Sequence, residues 1–516
     1  MNDPRKWKRR TGENRSRTWI ELLLSVLVLG CIAECSYGQE RLPPLESEEI
    51  YRRLEEQERE IQWLRSQVLA NQAAVSPGAS PPQAPLAESV PAQFASAHAN
   101  DLNSILHRLE ALEEEAKRSK ESQSEKKASD DWTDVSTEKW TVKLGGHVQL
   151  DWAHWVNADD PPIPARDYFE FRRLRLLADG TGYGVFDFRL QLDIEPESGD
   201  GVATPVVDVK DAYLTMHEIA LLQRVRIGNF FVPFSLEQVT NDTNNIFMER
   251  SIPTQGIFAA DREVGIAMYG VNDTKDVTWT FGAFFDSISE SLKERIDDNQ
   301  GYRLSSRFTW TPYYDEPSNG RYVIHTGIGF LFTDDQDDLV RFRARPQIHE
   351  GPFLIDSGNV PATTYSTGNL ELAMVWGPLS IQSELFLSSV DRIAADRATL
   401  FGGYIYGSYF LTGEHRIYER YGQHGAQFGR NVPFTNVFFV PGCFGWGAWE
   451  LKVRTSYLDL NELDSGRYND LTAGINWYWT DRIRVMFDWI HPWTTEDTPY
   501  GERSSDVAIT RFDFNW

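Results

Sequence analysis

Eight arginines stand at alternate positions of short apolar–polar segments: Arg173, Arg175, Arg189, Arg224, Arg226, Arg303, Arg307 and Arg454. A guanidinium stays protonated and presents a fixed fork of donors that fits oxyanions. At every second residue of a strand such groups share one face, and their apolar neighbours take the other. The chemistry this supports is electrostatic: a lined passage whose donors replace the water that an entering anion sheds. A plainer use competes with it, in which each arginine pairs with a carboxylate and stiffens a wall. Asp187, Asp193, Asp211, Glu384 and Glu450 are available for that.

The stretch 221–253 must position several of these groups. It opens as a strand with Arg224, Arg226 and Gly228 on one face and Val225 and Ile227 on the other. Pro233 ends regular pairing. About 20 polar residues follow, too many for a hairpin turn and enough for a functional loop. A new alternating strand starts at Arg262. Residues 238–261 are therefore the expected constriction. Within it Glu249 and Arg250 read as an ion pair holding the loop, and Arg262 as a partner at the loop base.

The remaining segments alternate in the same way. The clearest is 186–194, where Phe186, Phe188, Leu190, Leu192 and Ile194 share one face and Asp187, Arg189, Gln191 and Asp193 the other. A one-residue slip would exchange the two sets, so register is strongly specified. Sixteen such segments lie between residues 140 and 516, an even number as bacterial barrels have. Gly145 and Gly146 blur the pattern in the first. In the last, Phe512, Phe514 and Trp516 share a face. The expected fold is all-β: a sixteen-stranded antiparallel transmembrane β-barrel over 140–516, preceded by a signal peptide and short coiled-coil helices. The longest connections besides the constriction are 341–368 and 415–442. Long loops should face outside and short turns the periplasm.

Composition agrees. The chain has 516 residues with 17 Trp, 20 Tyr and 29 Phe, and no run of eighteen apolar residues after the N-terminus that could cross a membrane as a helix. A net charge of −25 disfavours nucleic acid as a partner, and none is expected. It leaves an anion passage open, because the local field decides that. From residue 141 onward five Lys accompany 27 Arg, yet acids there outnumber bases 52 to 32, which opposes a phosphate preference. Of three cysteines only Cys443 lies beyond the leader, so no internal disulfide is expected.

Ahead of the barrel, residues 1–38 have the basic start, apolar middle and small residues (Ser36, Gly38) of a signal peptide. Val28-Leu29-Gly30-Cys31 offers a competing lipoprotein site. Residues 39–72 read as a coiled-coil helix with a stripe of Ile50, Leu54, Gln57, Ile61, Leu64 and Val68. Residues 73–99 are a Pro-rich linker, 100–128 a second helix and 129–139 a linker. The stripes suit self-association better than solvated helices, and the assembly reads as a periplasmic stalk able to reach the cell wall.

No nucleophile elbow, paired-cysteine zinc spacing, HExxH or phosphate-cradling glycine loop occurs, so neither enzyme, metal nor cofactor is expected. The run Asp334–Asp338 lacks the glycine turn and closing glutamate of a calcium loop and reads as solvated.

The words "RIGNFFVPFSLE", "FMERSIP", "FRRLRL" and "VKDAYL", with "GAWELKVRTSYLDLNE" and "LTAGINWYW" later, resemble the phosphate-selective porin O/P family from about Trp140 to Trp516. The resemblance implies an outer-membrane porin, homotrimeric, embedded in outer-membrane lipid. It would pass small anions, phosphate among them, or hydrophilic solutes through an arginine-lined channel. The shared Arg172-Arg173-x-Arg175 and Arg226-x-Gly228 wording carries two parts of that lining. The rival readings are a structural barrel with an occluded lumen that anchors the envelope, and a barrel enzyme acting on lipids.

Overall fold

Along β3, Phe186–Pro196, Leu190 is 44% exposed on the outside while Gln191 and Asp193 are buried inside at 8% and 0%. The same inversion runs through the molecule: Trp152 and Ile328 stand outward at 62% and 55% exposure, while Gln149, Asp151, Arg307 and Glu450 are buried. Apolar groups outside and polar groups inside suit a body immersed in lipid. Among the described residues no helix is long and apolar enough to cross a membrane.

The computed structural model describes residues 139–156, 164–196, 205–285, 301–438 and 445–516, with backbone alone at 195, 196, 205 and 206. The expected signal peptide, both helices, the linkers 73–99 and 129–138, and Cys31, Cys35 and Cys443 lie outside these residues.

The other strands are β1 Trp140–Trp155, β2 Tyr168–Gly182, β4 Pro205–Ile219, β5 Gln223–Phe231, β6 Arg262–Val271, β7 Val277–Phe285 and β8 Tyr302–Tyr314. They continue as β9 Tyr322–Asp334, β10 Val360–Trp376, β11 Leu379–Arg392, β12 Ala398–Phe410, β13 Ala448–Asp459, β14 Arg467–Tyr478, β15 Ile483–Thr494 and β16 Val507–Asn515. Each pairs antiparallel with the next. β1 also pairs with β16, from His147↔Asn515 to Trp155↔Val507, so the sheet closes. The seam explains the two glycines of β1: a β-carbon on Gly146 would run into the Trp516 ring, and one on Gly145 into its main-chain oxygen.

All sixteen expected segments are strands of this closed barrel, and three details differ from the sequence reading. β10 starts at Val360, so the preceding connection is 335–359; its early residues, such as Thr364 and Ser366, pair with both neighbours but lack apolar alternation. In β2 the register shifts: Gln149 faces Arg173 and Leu150 faces Phe171, leaving Arg172 as the extra residue of a bulge. Arg172 and Arg173 are consequently both buried, where strict alternation would send one outward. The third concerns 415–442. The connections 183–185, 220–222, 272–276, 315–321, 377–378 and 479–482 are short and mark the periplasmic end. The long connection 411–447 belongs to this same end, not to the outside.

Candidate functional site

Three segments fold into the barrel and narrow it. The first is the connection 232–261. Ser235 (φ 69°) opens a single helical turn, Leu236–Val239, and its hydroxyl accepts a hydrogen bond from Gln238 N. Glu384 on β11 caps the same turn, accepting from Leu236 N at 3.1 Å and Glu237 N at 2.8 Å. Ile246, Phe247, Met248, Ile252 and Phe258 of this loop are buried.

Wall side chains hold the loop from several strands. Glu249 takes Arg172 at 2.9 Å and Arg511 at 2.7 Å, and Arg511 also grips Asp151 with both oxygens at 2.6 Å. Asp242 takes Arg173 at 3.0 Å and also Arg175, whose other partner is Asp193 at 2.6 Å. Lys452 donates to Ile246 O at 2.8 Å and Arg484 to Asn245 O at 2.7 Å. Arg454 reaches Glu237 at 3.3 Å and Glu249 O at 3.0 Å.

Arg250 does not pair with Glu249. It donates to the carbonyls of Glu237, Gln238 and Thr240, because the wall arginines already saturate Glu249. Arg262 pairs with Asp211 at 2.9 Å and Asp261 at 3.4 Å and stacks 3.7 Å over Phe231.

The second inward segment belongs to the outer connection 335–359. A short pairing of Arg343-Ala344 with Ile355-Asp356 carries it. At its tip Gln347 donates to Asp470 at 2.6 Å and Ser456 at 3.0 Å, and accepts from Thr472 and Arg454. The third is the periplasmic-side hairpin Tyr418–Gly422 with Gly425–Phe428. Arg416 stacks 3.4 Å over Phe428, Tyr418 meets His325 at 2.7 Å, and Arg307 donates to Ala426 O at 2.9 Å. It touches the first loop through Asn244, which donates to Phe428 O at 3.3 Å.

The eight wall arginines thus divide. Arg173, Arg175 and Arg454 hold the loop. Arg303 pairs with Glu263, and Arg307 donates to both oxygens of Glu371 at 2.7 and 2.8 Å. Arg189 pairs with Asp179 at 2.6 Å. Of the expected carboxylate partners, Asp193 and Asp211 take arginines; Asp187 takes His217, and Glu450 takes Tyr478 and Asn476.

Arg224 and Arg226 differ. Among the described residues no carboxylate lies within ion-pair distance of either. Arg224 lies 3.8 Å over the Tyr421 ring and donates to Gly422 O at 3.0 Å. Arg226 lies 4.2 Å over Tyr213 and meets Thr215, Gln423 O and His424 Nδ1 at 3.0, 2.8 and 3.1 Å. Both line a cavity of about 320 Å³. A larger one, about 1080 Å³, lies towards the periplasmic end of β1 to β3 and is roofed by Asn241, Asp242 and Thr243. The two share Lys143, Asp179 and Arg189.

Arg511, Arg484, Glu237 and Glu371 were not singled out in the sequence, and Arg172 was named only within the family wording. Arg484 and Arg511 carried a usable signal, since each alternates with outward aromatics in "RVMFDW" and "RFDFNW". Nothing local told that Arg172 points inward beside Arg173, because nothing local announces the bulge.

A closed sixteen-stranded barrel with an apolar outside and a polar lumen narrowed by its own loops has the build of an outer-membrane diffusion channel. The family described as phosphate-selective porin O and P matches residues 142–516. The chain belongs to that family and is an outer-membrane porin, as the motifs led one to expect. An uncharacterized protein of Caulobacter vibrioides is 29% identical over 364 residues, 68% of each chain. Porin O of Pseudomonas aeruginosa is 22% identical over 413 residues, 74% of this chain and 89% of its own. The solved anion-selective porin from Comamonas acidovorans aligns with a TM-score of 0.45 at 14% identity, covering 73% of this chain and 100% of that one.

Proposed function

We propose that this porin passes small anions, phosphate among them, by passive diffusion along the β1–β5 side of the lumen. The carrying observation is the pair Arg224 and Arg226, which have no described carboxylate within ion-pair distance and face a cavity that Arg189 also lines. In a narrow passage of low dielectric an uncompensated guanidinium attracts an anion far more strongly than it does in bulk water. The surplus of acids over the whole chain does not cancel a field this local. Lys143 extends the basic lining, Arg189 is paired with Asp179, and Asp187 tempers the field.

The exposed apolar belt is the surface for outer-membrane lipid. Three copies form the working unit, with the N-terminal stalk in the periplasm and within reach of the cell wall. The test is a planar bilayer recording under potassium chloride and potassium phosphate gradients. Anion preference is the expected reversal potential, and cation preference overturns the reading. The three inward segments favour one alternative, a sealed barrel that anchors the envelope. It gives no current at all in the same recording.

A further inference from the structure

At the outer mouth the wall and the second inward segment meet once more. Glu170 stands on the inner face of β2 near its outer end, and His349 and Glu350 of the connection 335–359 lie over it. His349 Nδ1 is 3.0 Å from one Glu170 carboxylate oxygen and 3.7 Å from one of Glu350. One ligand atom from each of the three lies within 4.8 Å of the other two. A tetrahedral Zn²⁺ with bonds of about 2.0–2.2 Å to nitrogen and oxygen holds its ligand atoms roughly 3.3–3.6 Å apart. The two His349 spacings bracket that range. Imidazole with carboxylates suits zinc and its transition-metal neighbours, whereas Ca²⁺ and Mg²⁺ prefer all-oxygen shells.

A second observation points to the same spot. A buried polar atom there, Trp155 Nε1, lacks a hydrogen-bond partner. Trp155 is 6% exposed and its ring lies against Gly351, the residue after Glu350. Buried orphan groups are uncommon and call for an occupant. A water on a bound metal would supply an acceptor for the indole N–H.

We propose that Glu170, His349 and Glu350 form a site for a divalent transition metal of the zinc type, which pins the outer connection 335–359 to the barrel wall. No spacing in the sequence announces it, because the wall ligand lies 179 residues from the histidine. Its consequence is mechanical. Gln347, two residues before His349, plugs into Arg454, Ser456 and Asp470. A metal on His349 therefore keeps that tip seated in the lumen and the mouth narrow.

The test is a calorimetric Zn²⁺ titration of the folded full-length protein with excess Mg²⁺ present. One saturable Zn²⁺ per chain is expected. His349→Ala should weaken it by about tenfold or more, since loss of even an outer partner of a ligand costs that much. Glu350→Gln should weaken it less, and Co²⁺ in its place should give the visible spectrum of a four-coordinate ion. His349 and Glu350 are loop residues, so the strands stay intact; heat-dependent gel mobility checks the fold. Wall-side Glu170→Gln gives an independent arm and should also weaken binding. Absence of saturable Zn²⁺ binding, or equal binding in wild type and His349→Ala, overturns the proposal. These readouts hold whichever ion the channel prefers, so their failure is separable from failure of the anion reading.

Discussion

Two sets of arginines in the lumen treat charge in opposite ways. On the β11–β16 side, Phe247 packs on Tyr406 with centroids 5.4 Å apart, Phe258 stacks on Phe386 at 5.8 Å, and Lys452, Arg454, Arg484 and Arg511 are each engaged by loop carbonyls or carboxylates. On the β1–β5 side Arg172, Arg173 and Arg175 of β2 fasten the loop in the same way, but on β5, beside the smaller cavity, Arg224 and Arg226 rest on tyrosine rings and carbonyls instead of acids. Arginine thus serves as a fastener where a loop must be seated and as a field source where solute has room. Residue type does not separate the two roles; the partner does.

The sharpest way to break this contrast is at a fastener. Glu249→Gln leaves Arg172 and Arg511 buried with one carboxylate fewer, and breaking a buried pair costs about 3–5 kcal/mol. The loop should leave its seat. Single-channel current should rise and become noisy, and trypsin should reach Arg250; an unchanged current would refute the fastening role. Phe247→Ala should follow at about 3 kcal/mol, from lost burial and a cavity against Tyr406. Amide exchange across 240–252 would read it, with anion preference unchanged.

The β5 pair should respond in the opposite way. Arg226→Ala should leave loop protection intact and lower the apparent affinity for phosphate about tenfold, or about 1.4 kcal/mol. Phosphate block of chloride current would measure it, and Arg224→Ala/Arg226→Ala should move the reversal potential further toward cations. Destabilisation without altered selectivity would put Arg226 among the fasteners.

The smallest effect lies outside the membrane, at Asp356. Hydrogen bonds from Arg341, one of 2.8 Å, hold its carboxyl below the usual range against partial burial, helped by Gly358 N–H. A depressed carboxyl contributes stability that is complete above its unfolded value, near 3.9, and is lost as pH falls through the folded value. The pairing of 343–344 with 355–356 should loosen only in that acid window. Because Arg341 is well exposed, the change should be slight. Asp356→Asn should give the acid behaviour at neutral pH, read by amide exchange corrected for intrinsic rates.

Most of the barrel was legible because a two-residue period is local. Leu190 and Gln191 declare their sides without knowledge of any distant residue, and so do Arg303 and Arg307. The inside was less legible because its pairs are far apart in the chain. Arg511 meets Asp151 across 360 residues, and Arg454 meets Glu237 across 217. Composition lists the acids available to an arginine without saying which one arrives. Thus Glu249 and Arg250, adjacent in sequence, point to different partners. Length alone also misled: residues 411–447 are long, yet join strand ends where the other connections are short, because their hairpin fills the channel rather than water outside.

The seating of the first loop has a bearing on how the protein is made. Arg454, Arg484 and Arg511 are translated more than two hundred residues after the loop atoms they hold. A chain delivered from its N-terminus presents Ile246, Phe247 and Met248 before those anchors exist. Until β12 to β16 arrive, this greasy strip lacks the wall it packs on, Tyr406 included. Filling the channel and sealing its wall are then a single late step, and a half-built barrel has no narrow passage to leak through.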